Sequence, residues 1–439
     1  MFSMLAIVAL QNLVAYSVNM ADNIMLGRYS QDALSGAATA NQVFFIVQQF
    51  AIALGNALVA LASQYYGQDR LEQVRKITGI TLKLALAIGA VITAICIILP
   101  EWVIGIFTTD EAIIAEGKDY ITIIAWTFIL FLVTNVFMAA LRVSKTVNIS
   151  FYISIVSLVI NVCINYVLIF GKLGFPEMGI KGAAIGTLIA RIAELAIVMI
   201  YIAKFDKSLH IFSAGWLSSD RLLFKDFIKV CTPIVCSSVL WAVSVPMQTA
   251  ILGHISEDAI AANSVATTFY QYLKVIVVAM SSTSSVMIGT AIGKGDIEEV
   301  KAYGRTLSVI DVLLGLFMGS ILLLLKDPLL SLYADTFNST ALDMASNLII
   351  IMSVVMVGMS YQMPVCFGII QGGGDGRFNM AVNMISTWCI VMPLSFLAAY
   401  TFKWPVELVV ICVQSDQIFK CLPAFLHFRK YKWIKNLTR

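Results

Sequence analysis

Asp22 is the only acidic residue in the first long apolar stretch of the chain, and oxygen donors lie at matching depth elsewhere. Counted inward from the ends of their own apolar stretches, Asp22 lies five residues from Gly27, Asn165 five from Phe170 and Thr187 five from Gly182. At the rise of an α-helix these three share a level about 8 Å inside one membrane face. Asn161 is one helical turn deeper than Asn165 and on the same helix face. One carboxylate, two amide oxygens and a hydroxyl form a hard, oxygen-rich set suited to Na⁺. A lone carboxylate could equally carry a proton. Within a spanning helix a carboxylate costs about 2.5–3.5 kcal/mol on insertion scales, so its presence there points to function. The competing reading is a helix cap, or a local hydrogen bond to Asn19 or Asn23.

Elements of a particular kind must hold these residues. Of 439 residues 59% are hydrophobic and 13% charged, and the mean hydropathy is +0.88. Soluble domains carry nearly twice that share of charge, so this composition belongs to a chain solvated by lipid. It excludes a soluble enzyme, a nucleic-acid binder and a disordered scaffold. Basic and acidic residues nearly balance, at 29 and 26. The eight cysteines sit in apolar runs without a CxxC pair, and His210, His254 and His427 are too scattered for a metal or haem centre.

A spanning helix needs about 20 mostly apolar residues. Cutting at the charges gives twelve stretches: 3–27, 33–66, 84–100, 120–141, 149–170, 182–203, 230–253, 259–292, 306–325, 344–371, 378–402 and 405–426. No cleavable signal precedes the first, and its lack of a charged leader points to a short missing N-terminal segment. Of the 29 Lys and Arg, twenty fall in one alternating set of connections with the C-terminal tail, six in the opposite set, and three (Arg191, Lys274, Lys420) inside spans. The positive-inside rule then places both termini in the cytoplasm.

The chain also repeats. At a constant offset of 226, Leu26–Gly27 meets Leu252–Gly253, Ser30 meets Ser256, Asp32–Ala33 meets Asp258–Ala259, Gly67 meets Gly293 and Glu72 meets Glu298. An offset of six spans gives both copies the same orientation, a parallel duplication common among transporters. The expected organisation is a six-helix bundle over 1–203, a cytoplasmic linker over 204–229, a second six-helix bundle over 230–426 and a basic cytoplasmic tail over 427–439. The fold class is all-α integral membrane, with two parallel-related bundles around a central cavity.

Motifs for other chemistries miss. Gly289–Gly295 is a residue short of a P-loop and lacks its Ser/Thr, and Gly372–Gly376 reads as a flexible cytoplasmic turn. Arg191 with Glu194 and Asp416 with Lys420 have the spacing of pairs on one helix face. Asp311, near the cytoplasmic end of its span, is expected to be hydrated. Lys274 lies near mid-membrane, facing either Asp416 or a cavity. Gln42, Tyr270, Gln271 and Lys274 place polar groups within spans two and eight, where a cavity for flat amphipathic cations would be lined. Pro246, Pro364 and Pro393 fall inside spans and should kink them.

Four segments together resemble one family. They are VNMADNIMLGRYSQDALSGAA (Val18–Ala38), QYYGQDRLEQVRK (Gln64–Lys76), INYVLIFGKLGFPEMGIKGAAIGT (Ile164–Thr187) and IIQGGGDGRF (Ile369–Phe378). The chain resembles the multidrug and toxic compound extrusion (MATE) family over its whole length. The resemblance implies a twelve-helix, two-lobed antiporter that expels organic cations and other amphipathic toxins in exchange for Na⁺ or H⁺. It also implies an N-lobe cation site at Asp22, Asn161 and Asn165 with a span-six threonine, placed here on Thr187. The second half departs from the family pattern. No acid occurs between Lys229 and Glu257 or between Asp343 and Asp375, and Ser238 and Gln248 stand where acids are expected.

The resulting expectation is a secondary active transporter of the cytoplasmic membrane and not an enzyme. It would act as a monomer, need no cofactor beyond its coupling ion, Na⁺ or H⁺, and bind small organic cations and lipid but no nucleic acid. Two other transporter types fit the sequence less well. A lipid-linked saccharide flippase should line its cavity with more basic residues. A major-facilitator transporter should continue Asp69–Arg70 with a Gly-Arg-Arg motif, where this chain has Leu71-Glu72-Gln73-Val74.

Overall fold

A computed structural model describes residues 2–206, 209–212, 215–218, 220–253, 255, 257–331 and 339–438. His254 and Ser256 fall outside them. Twelve helices among the described residues are long and apolar enough to cross a membrane. We number them α1 (Phe2–Tyr29), α2 (Gln31–Gly67), α3 (Leu71–Ile98), α4 (Glu111–Val143), α5 (Asn148–Ile169), α6 (Gly179–Lys204), α7 (Arg221–Gly253), α8 (Glu257–Lys294), α9 (Ile297–Leu324), α10 (Ser339–Ile370), α11 (Gly376–Thr401) and α12 (Val406–Arg429). Short interfacial helices follow α3 (Pro100–Gly105) and α9 (Lys326–Ser331). The chain divides into two compact units, Phe2–Cys231 and Thr232–Arg439.

The helices start where the sequence offers a cap. Ser30 accepts from the Ala33 amide at the head of α2, Asp110 from the amides of Ala112 and Ile113 at α4, and Asp296 from Glu299 at α9. The duplication carries through to the backbone. Displacing α3, Leu71–Ile98, by 226 lands on the bounds of α9, Ile297–Leu324.

In the first unit α2 lies along α4, and a stripe of buried small residues (Ala33, Gly36, Ala37, Ala40) lets the two approach. A Cβ at Gly36 would sit 2.8 Å from the Glu116 Cβ. Lys118 donates to Glu101 at 2.6 Å, and its ammonium holds that exposed carboxyl below the usual carboxylate range. The described residues of the connection after α6 pack down onto the unit. Leu209 and Ile211 are fully buried, Phe212 meets the edge of Phe137, and Lys83 donates to the Leu217 carbonyl at 2.7 Å.

In the second unit the core is rich in methionine, with Met318, Met352, Met356, Met359 and Met392 in one cluster. Of the three prolines expected to kink their spans, Pro364 opens a π-helical segment, Pro364–Ile370, and Pro393 follows another, Met384–Val391. A residue without an N–H interrupts the helical ladder, and the wider turn absorbs the gap. Pro246 lies inside an unbroken helix.

The glycine-rich turn at 372–376, expected to be flexible, is clamped by the C-terminal tail. Trp433 is fully buried against Gly373, and its indole N–H donates to the Phe428 carbonyl at 3.0 Å. Lys435 donates its amide to the Gly373 carbonyl and its ammonium to Asp375 at 2.9 Å, while His427 meets the other Asp375 oxygen at 3.0 Å. Gly374, at φ +97°, supplies the left-handed step of the turn. Tail contacts far along the chain order this loop, and glycine content alone did not reveal them.

Candidate functional site

Three helices of the first unit converge on Asp22. α5 packs between α1 and α6, and glycines on α6 set how closely α5 can approach. A Cβ at Gly182 would lie 2.7 Å from the Leu168 carbonyl carbon, and one at Gly186 would overlap Asn165 Oδ1. Glycine at both positions therefore brings the asparagine face of α5 against α6.

The polar side chains form a connected line across those helices. Asn165 donates through Nδ2 to Asp22 Oδ1 at 2.6 Å, and the same amide is 3.4 Å from Asn161 Oδ1. Asn161 in turn donates through Nδ2 to Thr187 Oγ1 at 3.1 Å. Asn161 and Asn165 are almost wholly buried, whereas Asp22 and Thr187 are partly exposed. The four residues derived from their depth along three separate spans thus stand together. Asp22 bonds Asn165 rather than the neighbours Asn19 or Asn23.

One atom in this set lacks a partner. Asn165 Oδ1 is buried and accepts no hydrogen bond. Rotating the amide by half a turn would present that oxygen, in place of the N–H₂ group, to whatever cation approached Asp22. With the carboxylate, Asn161 Oδ1 and Thr187 Oγ1, the oxygen completes a donor set that fits a hard monovalent cation.

A charged group of α6 also acts on the site. Arg191 pairs with Glu194 at 2.6 Å, as its spacing predicted, and its guanidinium lies over the Phe131 ring at 5.0 Å. It acts electrostatically on Asp22, and Asp22 in turn acts on the buried Tyr120 of α4. Arg191 was read only as half of a self-neutralising pair. The signal available was its position four residues after Thr187, on the same helix face.

The residues assigned to a substrate path are placed differently from one another. Gln42 on α2 and Gln271 on α8 are exposed on their helices, and Lys274 is partly exposed with its ammonium 5.2 Å from the centre of the Trp241 ring. Tyr270 is buried in the second unit's core, donating its hydroxyl to Met359 Sδ at 2.6 Å. Asp416 pairs with Lys420 at 2.6 Å rather than with Lys274.

The MatE family model matches residues 8–167 and again 233–397, one match in each half. The chain is 26% identical to a probable multidrug resistance protein NorM of Thermotoga maritima over 435 residues, covering 98% of this chain and 92% of the relative. It is 27% identical to a protein of the same name from Rhizobium meliloti, covering 90% and 84%. In fold it is similar to a MOP-superfamily transporter from Pyrococcus furiosus, with TM-score 0.88 at 17% identity, covering 99% of this chain and 96% of that one. The Vibrio cholerae MATE transporter VcmN gives a TM-score of 0.87 at 19% identity over 99% and 97%.

Proposed function

The chain belongs to the MatE family of membrane transporters, and we propose that it is a cation-coupled antiporter that exports organic cations and other toxic amphipathic compounds. Export would run outward across the cytoplasmic membrane by alternating access, driven by Na⁺ or H⁺ moving inward. Both termini would face the cytoplasm, as the excess of Lys and Arg in one set of connections supports. The multidrug-resistance names of its relatives support the substrate class.

The observation that carries the coupling role is the hydrogen-bonded line Asp22–Asn165–Asn161–Thr187. Without an ion, the Asn165 amide compensates the Asp22 charge. Loading from outside would replace that N–H donor with a cation, and the Asn165 amide would turn its oxygen inward. Each side chain of the line then changes partner, so ion occupancy is transmitted to the packing of α1, α5 and α6. A ligand shifts a conformational equilibrium only through such differential contacts. Gln42 in the first unit and, in the second, Gln271 and Lys274 with Tyr270 behind them are our assignments for contact with the substrate.

Ethidium accumulation in bacterial cells making the protein tests this reading. Wild type should lower accumulation, and Asp22→Asn should restore the control level at equal abundance in the membrane. Protection by Asp22→Asn equal to wild type would overturn it.

A further inference from the structure

We propose that Asp311 is a proton-binding site of the second unit, separate from Asp22, and that its proton holds the contact between α9 and α10 closed. Only its use in transport rests on the reading above; the binding itself does not.

Asp311 was expected to be hydrated near a span end. It is instead fully buried, and neither carboxyl oxygen has a hydrogen-bond partner. It belongs to the stripe Gly304, Leu307, Asp311, Gly315, Gly319 and Leu322, the buried face of α9. That face meets α10 at very short range. A Cβ at Gly315 would lie 2.8 Å from the Ser360 Cβ, and one at Gly319 would lie 2.6 Å from the Ser353 carbonyl oxygen.

Neighbouring elements offer Asp311 no charge compensation. Among the described residues no cation pairs with it. On α10 it acts electrostatically on Tyr361, on which Cys366 acts as well. On α12, Cys421 lies near Tyr361, and Lys420 is engaged with Asp416. On α8, the Lys274 ammonium lies over the Trp241 ring, and Tyr270 is bonded to Met359. Lys294 ends α8, and Lys326 lies beyond the far end of α9, bonded to Ser346. The hydroxyls of Ser360 and Tyr361 are themselves buried without partners. An ionised carboxylate in such a place would carry its full desolvation cost. The neutral acid would not.

The internal repeat shows that packing does not require an acid here. Displaced by 226, Asp311 falls on Ala85, Gly315 on Gly89, Leu307 on Thr81 and Leu322 on Cys96, and all four first-unit counterparts are also buried. A methyl therefore suffices at the same position of the same helix contact. Releasing the proton would leave a bare charge between α9 and α10, relieved by separating the helices and admitting water. Asp311 lies about 8 Å inside the end of its apolar stretch that carries the basic residues, so exchange would occur with that side.

Two measurements on the purified full-length protein in lipid nanodiscs test this. Infrared pH-difference spectra should contain the carbonyl band of a protonated buried carboxylic acid. The band should persist in Asp22→Asn and in saturating Na⁺, and vanish in both Asp311→Asn and Asp311→Ala. Hydrogen exchange across 353–362 in wild type should rise at least about tenfold beyond the intrinsic rate on going alkaline, and stay flat in Asp311→Ala, which carries the side chain its counterpart Ala85 already has. A spectrum unchanged by both Asp311 substitutions, a band lost on adding Na⁺, or equal pH dependence of exchange in Asp311→Ala would overturn the proposal. None of these readouts depends on transport, so failure of the Asp22 reading would leave them intact.

Discussion

Asn165 donates its side-chain amide to Asp22 at 2.6 Å across 143 residues of sequence, and the same α5 face reaches Thr187 on α6 through Asn161. One helix thereby connects a partly exposed carboxylate to a hydroxyl two helices away. Such a line can be tested at each member.

Gly186→Ala should uncouple the site without removing any of its polar groups. The new methyl would overlap Asn165 Oδ1, forcing the amide away from Asp22. Loss of a hydrogen bond to a charged group is worth roughly 1.5–3 kcal/mol. Efflux in ion-driven vesicles should fall about tenfold or more, with the protein still inserted in the membrane. Wild-type efflux would mean that the Asn165–Asp22 bond is dispensable.

Thr187 tests the far end of the line. Thr187→Ser keeps an acceptor for Asn161 and should transport normally, whereas Thr187→Val removes it and leaves a buried amide unsatisfied at a cost of about 1–3 kcal/mol. Ion dependence measured on both variants separates them. Equal behaviour of the two would remove Thr187 from the site.

Lys420→Met should destabilise the second unit by about 3–5 kcal/mol, because it strands the buried Asp416 carboxylate. Asp416→Asn combined with Lys420→Met should recover most of that loss. Thermal unfolding of the two variants in detergent measures the difference. A double variant no more stable than the single would show that the pair acts otherwise.

Trp433→Ala should cost about 3–5 kcal/mol, the usual range for a fully buried large aromatic. It should also expose the 372–376 turn to protease cleavage, since Gly373 and Asp375 both depend on the tail. An uncleaved turn in this variant would show that the loop orders itself.

The depth of Asp22, Asn165 and Thr187 was legible because spanning helices have nearly fixed rise and length, so distance from an apolar end reports level. The self-paired charges Arg191–Glu194 and Asp416–Lys420 were legible from spacing on one helix face. The starts of α3 and α9 were not. Cutting at charges began the third and ninth spans at 84 and 306, whereas α3 and α9 start at Leu71 and Ile297. Charges mark where lipid begins, and a helix continues past that point into water. What Asp311 faces and what clamps Gly373 depend on residues far along the chain, Ser360 and Trp433, which local pattern cannot pair.

The proposed role of Asp22 is to couple an ion gradient to export. It is met most directly in proteoliposomes, with ethidium efflux driven by an imposed Na⁺ gradient or an imposed pH gradient, for wild type and Asp22→Asn side by side. Efflux should follow one gradient in wild type and be absent with either gradient in Asp22→Asn. Gradient-driven efflux by Asp22→Asn at the wild-type rate would contradict it.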